Sequence, residues 1–131
     1  ISSSGYYPVD KWEQELNRIE KTVLKYQKLF FFAEAGVCRE KVPNDWELQG
    51  ELYLEEQCEW YQAMFEACKN RSWLRGFALW EWAPKLPSES EAWKDDSYEI
   101  CNKPVQEVIG DSMKMRQKNT SQRVQKNSLS Q

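Results

Sequence analysis

The chain has 131 residues, 40% of them hydrophobic and 30% charged, which suits one globular domain with a modest core. Its net charge of −3 conceals an asymmetry. Residues 114–131 carry Lys114, Arg116, Lys118, Arg123 and Lys126 without an acid, which leaves residues 1–113 at −8. So acidic a body argues against nucleic acid as the principal ligand. No run approaches the ~18 apolar residues of a membrane span, so no membrane partner is expected either.

Seven Trp, six Tyr and five Phe make an aromatic load that suits stacking on sugars or bases as well as core packing. The cysteines, Cys38, Cys58, Cys68 and Cys101, include no CxxC pair, and the chain has no histidine. Zinc, a histidine-based triad and any other cofactor are therefore not expected. Cys58 and Cys68 fall in one expected helix, about 15 Å apart along its axis, and cannot pair there. Free thiols point to a reducing compartment such as the cytoplasm. The chain starts at Ile1 and not at methionine, and its organisation suggests a piece of a longer protein.

In chain order, ISSSGYYPV is expected to open as a short strand that turns at Pro8. Asp10 and Glu13 form a capping-box-like helix start, and Trp12, Leu16, Ile19, Val23 and Tyr26 recur on one helical face. LFFFA is too short for a helix and apolar throughout, as a strand buried on both faces should be. A polar loop, CREKVPNDWELQG, leads to a second helix over roughly 51–70, with Leu54, Cys58, Tyr61, Phe65 and Cys68 on one stripe. LRGFALWEW reads as another buried strand, and WAPKLPSESEAWKDDSYEICNK as a long polar loop. A last helix begins near Pro104 and carries Val105, Val108 and Ile109. Residues 114–131, basic and nearly devoid of apolar side chains, are expected to be a disordered tail to a domain spanning 1–113.

The order strand, helix, strand, helix, strand, helix, with long crossovers, predicts an α/β fold with a parallel sheet. Three strands are too few to close a barrel, so the parts look like a portion of a larger fold. In parallel α/β folds, functional groups gather where strands end. Glu34 stands at the end of LFFFA, Trp80, Glu81 and Trp82 at the end of the next strand, and Tyr6 and Tyr7 at the end of the first.

FFFAEAG, the GFALWEW strand about 45 residues later, the YYP after the first strand, and the segment with Asp96, Tyr98, Lys103 and Pro104 together resemble clan A glycoside hydrolases. Their last barrel strands, six to eight of a (β/α)8 TIM barrel, are what residues 1–110 look like. The greatest similarity is to glycoside hydrolase family 113, whose known activity is endo-β-1,4-mannanase. The resemblance implies that Glu34 is the nucleophile of a retaining glycosidase and that Trp80, with Trp82, lines the sugar subsite beside the scissile bond. Tyr6 and Tyr7 would lie near the nucleophile. It implies a β-linked oligo- or polysaccharide as substrate and an acid/base glutamate at the end of strand four, a strand this chain lacks.

A retaining glycosidase needs two carboxyl groups roughly 5 to 5.5 Å apart, so the isolated chain is expected to be inactive. Glu81 is a poor substitute, because strand alternation would turn it away from the face that Trp80 occupies. Two other readings stand beside this one: a non-catalytic carbohydrate-binding remnant, and an α/β module that self-associates through open strand edges. The missing N-terminal part of the barrel would be the natural partner of those edges.

Overall fold

The computed structural model describes residues 9–37 and 51–128, with side chains described for 9–37 and 54–118. The strand expected before Pro8, and with it Tyr6 and Tyr7, lies outside the described residues. Among the described residues, four helices and two strands follow one another as α1 (Val9–Tyr26), β1 (Phe30–Ala35), α2 (Glu51–Cys68), β2 (Leu74–Leu79), α3 (Glu89–Ala92) and α4 (Val105–Ser128). β1 and β2 pair in parallel, with Phe30 opposite Leu74, Phe31 opposite Gly76, Phe32 opposite Phe77 and Ala35 opposite Leu79. The α2 crossover makes that pairing feasible, since parallel neighbours cannot be joined by a tight turn.

α1 forms where apolar residues recur at three- and four-residue spacing. Leu16 is fully buried and Val23 nearly so, and Trp12 and Ile19 pack against the core beside them. Tyr26, expected on the same stripe, is instead 59% exposed. The helix is ending there: Gln27 takes a left-handed φ of 52°, and the Lys28 amide donates to the Val23 carbonyl, closing a Schellman-type stop. Glu20 then fixes the helix to the turn after α2, accepting from Arg71 at 2.5 Å and from the Trp73 indole at 2.6 Å.

α2 is the central helix, touching α1 on one side and α4 on the other. Leu54, Tyr61 and Cys68 are buried on the expected stripe, while Cys58 and Phe65 are only partly covered. Trp60, Met64 and Ala67 are buried as well, so the packed surface is wider than one stripe. A helix wedged between two others must be apolar over more than a third of its circumference. Cys58, Cys68 and Cys101 are free thiols.

The strands meet this layer through one face. Phe32 stacks on Phe77 with centroids 5.6 Å apart, and Trp12 and Phe65 strike that pair edge-on. The opposite face is open: Phe31 is 53% exposed, its ring lying against Gly76. Among the described residues LFFFA is therefore covered on one face only, because the helices that pack on the sheet lie on the side of Phe30, Phe32 and Phe77.

The last helix extends into the basic stretch. α4 runs on without a break to Ser128, so residues 114–128 are helical. Arg116 helps to carry the helix past residue 113, donating to the Leu74 carbonyl and placing its guanidinium 5.8 Å from the Phe77 ring centroid.

Truncating the core should show how much the helical layer carries. Leu16→Ala is expected to lower stability by about 2–5 kcal/mol, whereas exposed Leu24→Ala should change it by less than about 0.5 kcal/mol, both read by urea unfolding.

Candidate active site

The C-terminal ends of β1 and β2 are joined more tightly than ordinary ladder pairing would make them. The ladder is irregular between Phe32 and Ala35, and Glu34 sits within that irregular stretch with its side chain exposed. The Ala35 carbonyl then accepts twice, from the Trp80 amide at 2.8 Å and from the buried Tyr61 hydroxyl at 3.4 Å. One residue on, a Cβ at Gly36 would run into the Trp80 carbonyl oxygen, so the two chains touch backbone to backbone. Gln57 completes the grip by donating to the Val37 carbonyl at 3.3 Å. The flank of Glu34 is thus held by β2 from one side and by α2 from the other.

Past Leu79, β2 gives way to a bend. Trp80 and Trp82 are 46% and 49% exposed, with half-buried Glu81 between them and the Trp80–Glu81 peptide cis. Regular strand alternation ends at Leu79, so it does not govern where Glu81 points. The course of this segment is set by a later one: the Glu81 amide donates to the Tyr98 carbonyl at 3.1 Å, and the Ala83 amide to the Glu99 carboxylate at 2.7 Å.

That later segment is built around charges taken out of water. Lys103 is buried, donates to the Ser97 carbonyl at 3.2 Å and pairs with Asp95 at 3.4 Å. Burial pulls the Lys103 ammonium below its ordinary range, against the opposing pull of Asp95, Glu99 and Asp96. Burial pushes the Asp95 carboxyl up, but the Ser97 hydroxyl and amide and the Lys103 ammonium together hold it below its ordinary value. Burial likewise raises the Tyr61 hydroxyl, keeping it a neutral donor to Ala35, and lifts the Cys68 thiol to about 11.

The structure therefore brings Glu34 and Trp80 to one end of the sheet, with Trp82 two residues beyond. Sequence reasoning missed Gly36, Gln57 and Tyr61 as the residues that hold this end, and Glu99 and Lys103 as charged residues buried behind it. The glycine directly after Glu34–Ala35 was the one legible signal. A cavity of about 430 Å³, lined by Leu54, Glu55, Cys58, Glu59, Trp93 and Pro104, lies between α2 and the α3–α4 stretch and includes neither Glu34 nor Trp80. Among the described residues no group of His, Cys, Asp and Glu side chains is arranged to hold a metal ion.

Two parallel strands alternating with helices, with Glu34 and the tryptophans at the strand ends, are an α/β arrangement, and comparison with known proteins shows which larger fold it belongs to. The model of glycoside hydrolase family 113 matches residues 1–103, and the chain belongs to that family. A family 113 β-1,4-mannanase structure is 44% identical with a TM-score of 0.67, and a complex structure of such an enzyme is 43% identical with a TM-score of 0.68. Each covers 83% of this chain and 37% of the solved one. The family 113 β-mannanase AaManA from Alicyclobacillus acidocaldarius, in complex with ManMIm, is 32% identical over 86% of this chain and 37% of its own, with a TM-score of 0.69. The chain thus spans little more than a third of the length of these mannanases and is a partial barrel. A search of curated proteins gave no match.

Two substitutions check the geometry. Gly36→Ala should cost about 1–3 kcal/mol by urea unfolding, because the backbone contact with Trp80 has to open to admit a methyl group. Asp95 has a folded pKa below its ordinary 3.8, so its stabilising contribution is complete above pH 3.8 and is lost as the pH falls through the lowered value. Asp95→Asn should therefore be less stable than the parent at pH 6 and converge with it in acid, measured as melting temperature against pH.

Proposed function

We propose that the chain is the C-terminal part of a retaining β-1,4-mannan hydrolase, with Glu34 as the nucleophile and Trp80 and Trp82 as walls of the sugar subsites. Tyr6 and Tyr7 belong to the same reading as neighbours of the nucleophile. The observation that carries it is the placement of Glu34: exposed, at the C-terminal end of a parallel strand, and bound through its neighbour Ala35 to the amide of Trp80 in a family 113 chain.

The chemistry follows from that placement. A carboxylate fixed below the sugar attacks the anomeric carbon while a second carboxyl group protonates the departing glycosidic oxygen. The resulting glycosyl ester is then hydrolysed by water that the second group, now a base, deprotonates. An exposed Trp ring beside the nucleophile offers a flat apolar face to the C–H side of a pyranose, while the ring hydroxyls remain free for polar partners. In this reading the acid/base glutamate comes from the remainder of the barrel, so the isolated chain binds sugar weakly and does not turn it over.

The open side of the sheet supports the same reading. Phe31, Leu29 and the outer strand edges are what the remaining βα units would cover, and the family 113 structures extend well beyond the region this chain matches. Without them, exposed edges and apolar faces favour pairing with a second copy, so self-association is the expected behaviour of the chain alone.

The experiment joins this chain to the preceding barrel portion of a family 113 mannanase. The joined protein should release β-1,4-mannooligosaccharides from mannan, while the 131-residue chain alone releases none. Glu34→Gln should abolish turnover with a stability change under about 0.5 kcal/mol, since the side chain is exposed. A fluorinated mannoside that traps the glycosyl ester should label the peptide containing Glu34. Labelling at another carboxylate, or turnover by the chain alone, would refute the assignment.

A further inference from the structure

We infer that Glu99 is a positioning residue, whose buried carboxylate sets where Trp80 and Trp82 stand; this deepens the sugar-binding reading above and rests on it. Glu99 is 4% exposed and lies on irregular backbone between α3 and α4, in neither of the strands that carry the site. One carboxylate oxygen accepts from the Ala83 amide at 2.7 Å. The other accepts from the amides of Ile100 and Cys101, both at 2.9 Å. A single side chain thus spans 16 residues of sequence, fastening the end of the tryptophan segment to the turn that opens α4.

Three backbone anchors hold the tryptophan segment. The Trp80 amide is fixed to Ala35, the Glu81 amide to the Tyr98 carbonyl and the Ala83 amide to Glu99. Two of these three anchors come from residues 98 and 99, so the 98–99 segment holds the tryptophan segment on the side away from β1. Ala83 follows Trp82 directly, and fixing its amide fixes the position of the Trp82 Cα. Neither ring is buried enough to be held by packing, since both are about half exposed. Their placement therefore depends on backbone anchors.

A carboxylate suits this task better than an amide. Three N–H donors converge on its two oxygens, and each bond is charge-assisted, hence shorter and stronger than a neutral one. A glutamine would aim its own NH2 group at one of those donor sets. The turn that carries Glu99 is itself pinned. Asn102 takes a left-handed φ of 58° and donates to the Pro87 carbonyl at 2.8 Å, and Lys103 is held by Asp95 and Ser97. An anchor that moved could not position anything, and this one is fixed at both ends of its turn.

The test compares the full 131-residue chain with its Glu99→Gln and Glu99→Asp variants. Hydrogen exchange by mass spectrometry reads the backbone, and tryptophan fluorescence during titration with β-1,4-mannotetraose reads the site. In Glu99→Gln the amides of residues 81–83 should exchange about tenfold faster while those of α1 and α2 keep the parent rate. Mannotetraose affinity should fall about tenfold, because displacing a stacking platform by a fraction of an ångström loses much of its contact. Glu99→Asp keeps the charge, should fall between the two, and is read by the same criteria if the glutamine variant does not fold. Unchanged exchange at 81–83, or acceleration spread equally over α1 and α2, would overturn the inference. Selective acceleration at 81–83 in a chain whose parent shows no response to mannotetraose would leave the anchor standing and refute the sugar-binding reading instead.

Discussion

The structure depends on the contact between two backbones at the end of the sheet. Ala35 offers its carbonyl to the Trp80 amide, and Gly36, lacking a side chain, lets the Trp80 carbonyl come close. The residues singled out at the strand ends lie around that crossing: Glu34 immediately before it on one strand, Trp80 within it and Trp82 just after it on the other. A parallel ladder alone would leave the ends of two six-residue strands free to fray. The hydroxyl of Tyr61 and the amide of Gln57 reach up from α2 to prevent that on the β1 side.

The molecule has a packed side and an open side, and the division explains its composition. On the packed side, Trp12, Phe32, Phe65 and Phe77 meet edge-on or stacked, each such pair adding about 0.5–1.5 kcal/mol beyond its buried area. On the open side Phe31 is left half in solvent, and past the end of β2 so are Trp80 and Trp82. A domain complete in itself rarely leaves so many large apolar side chains uncovered near one another. A partial barrel does, because the face that would line the barrel has no opposite wall.

Buried charge is concentrated where backbone is irregular. Residues 95–103 form neither strand nor extended helix, so their amides and those of the tryptophan segment have no ladder to satisfy them. Glu99, Asp95 and Ser97 accept from these amides, and Lys103 donates to the Ser97 carbonyl. Removing Asp95 would leave the buried Lys103 ammonium without its ion-pair partner, which is costlier than never having buried either.

Periodicity and element order, which are properties of the sequence alone, determined the helices at 9–26 and 51–68, the two strands, their parallel pairing and the candidacy of Glu34, Trp80 and Trp82. These were legible because spacing is local: a stripe every three or four residues, or an apolar run closed by a carboxylate, needs no partner to be recognised. Only the tertiary structure decided which faces were covered. LFFFA has the composition of a strand buried on both sides, yet one side is open, since burial depends on what lies opposite and not on the strand itself. The basic stretch from residue 114 reads as disordered by composition, yet it continues α4, which starts from buried Val105 and Ile109 and is tied to β2 through Arg116. Glu99, one acid in a polar loop, carries no local mark, because its role depends on an amide 16 residues away that only the fold brings within 2.7 Å.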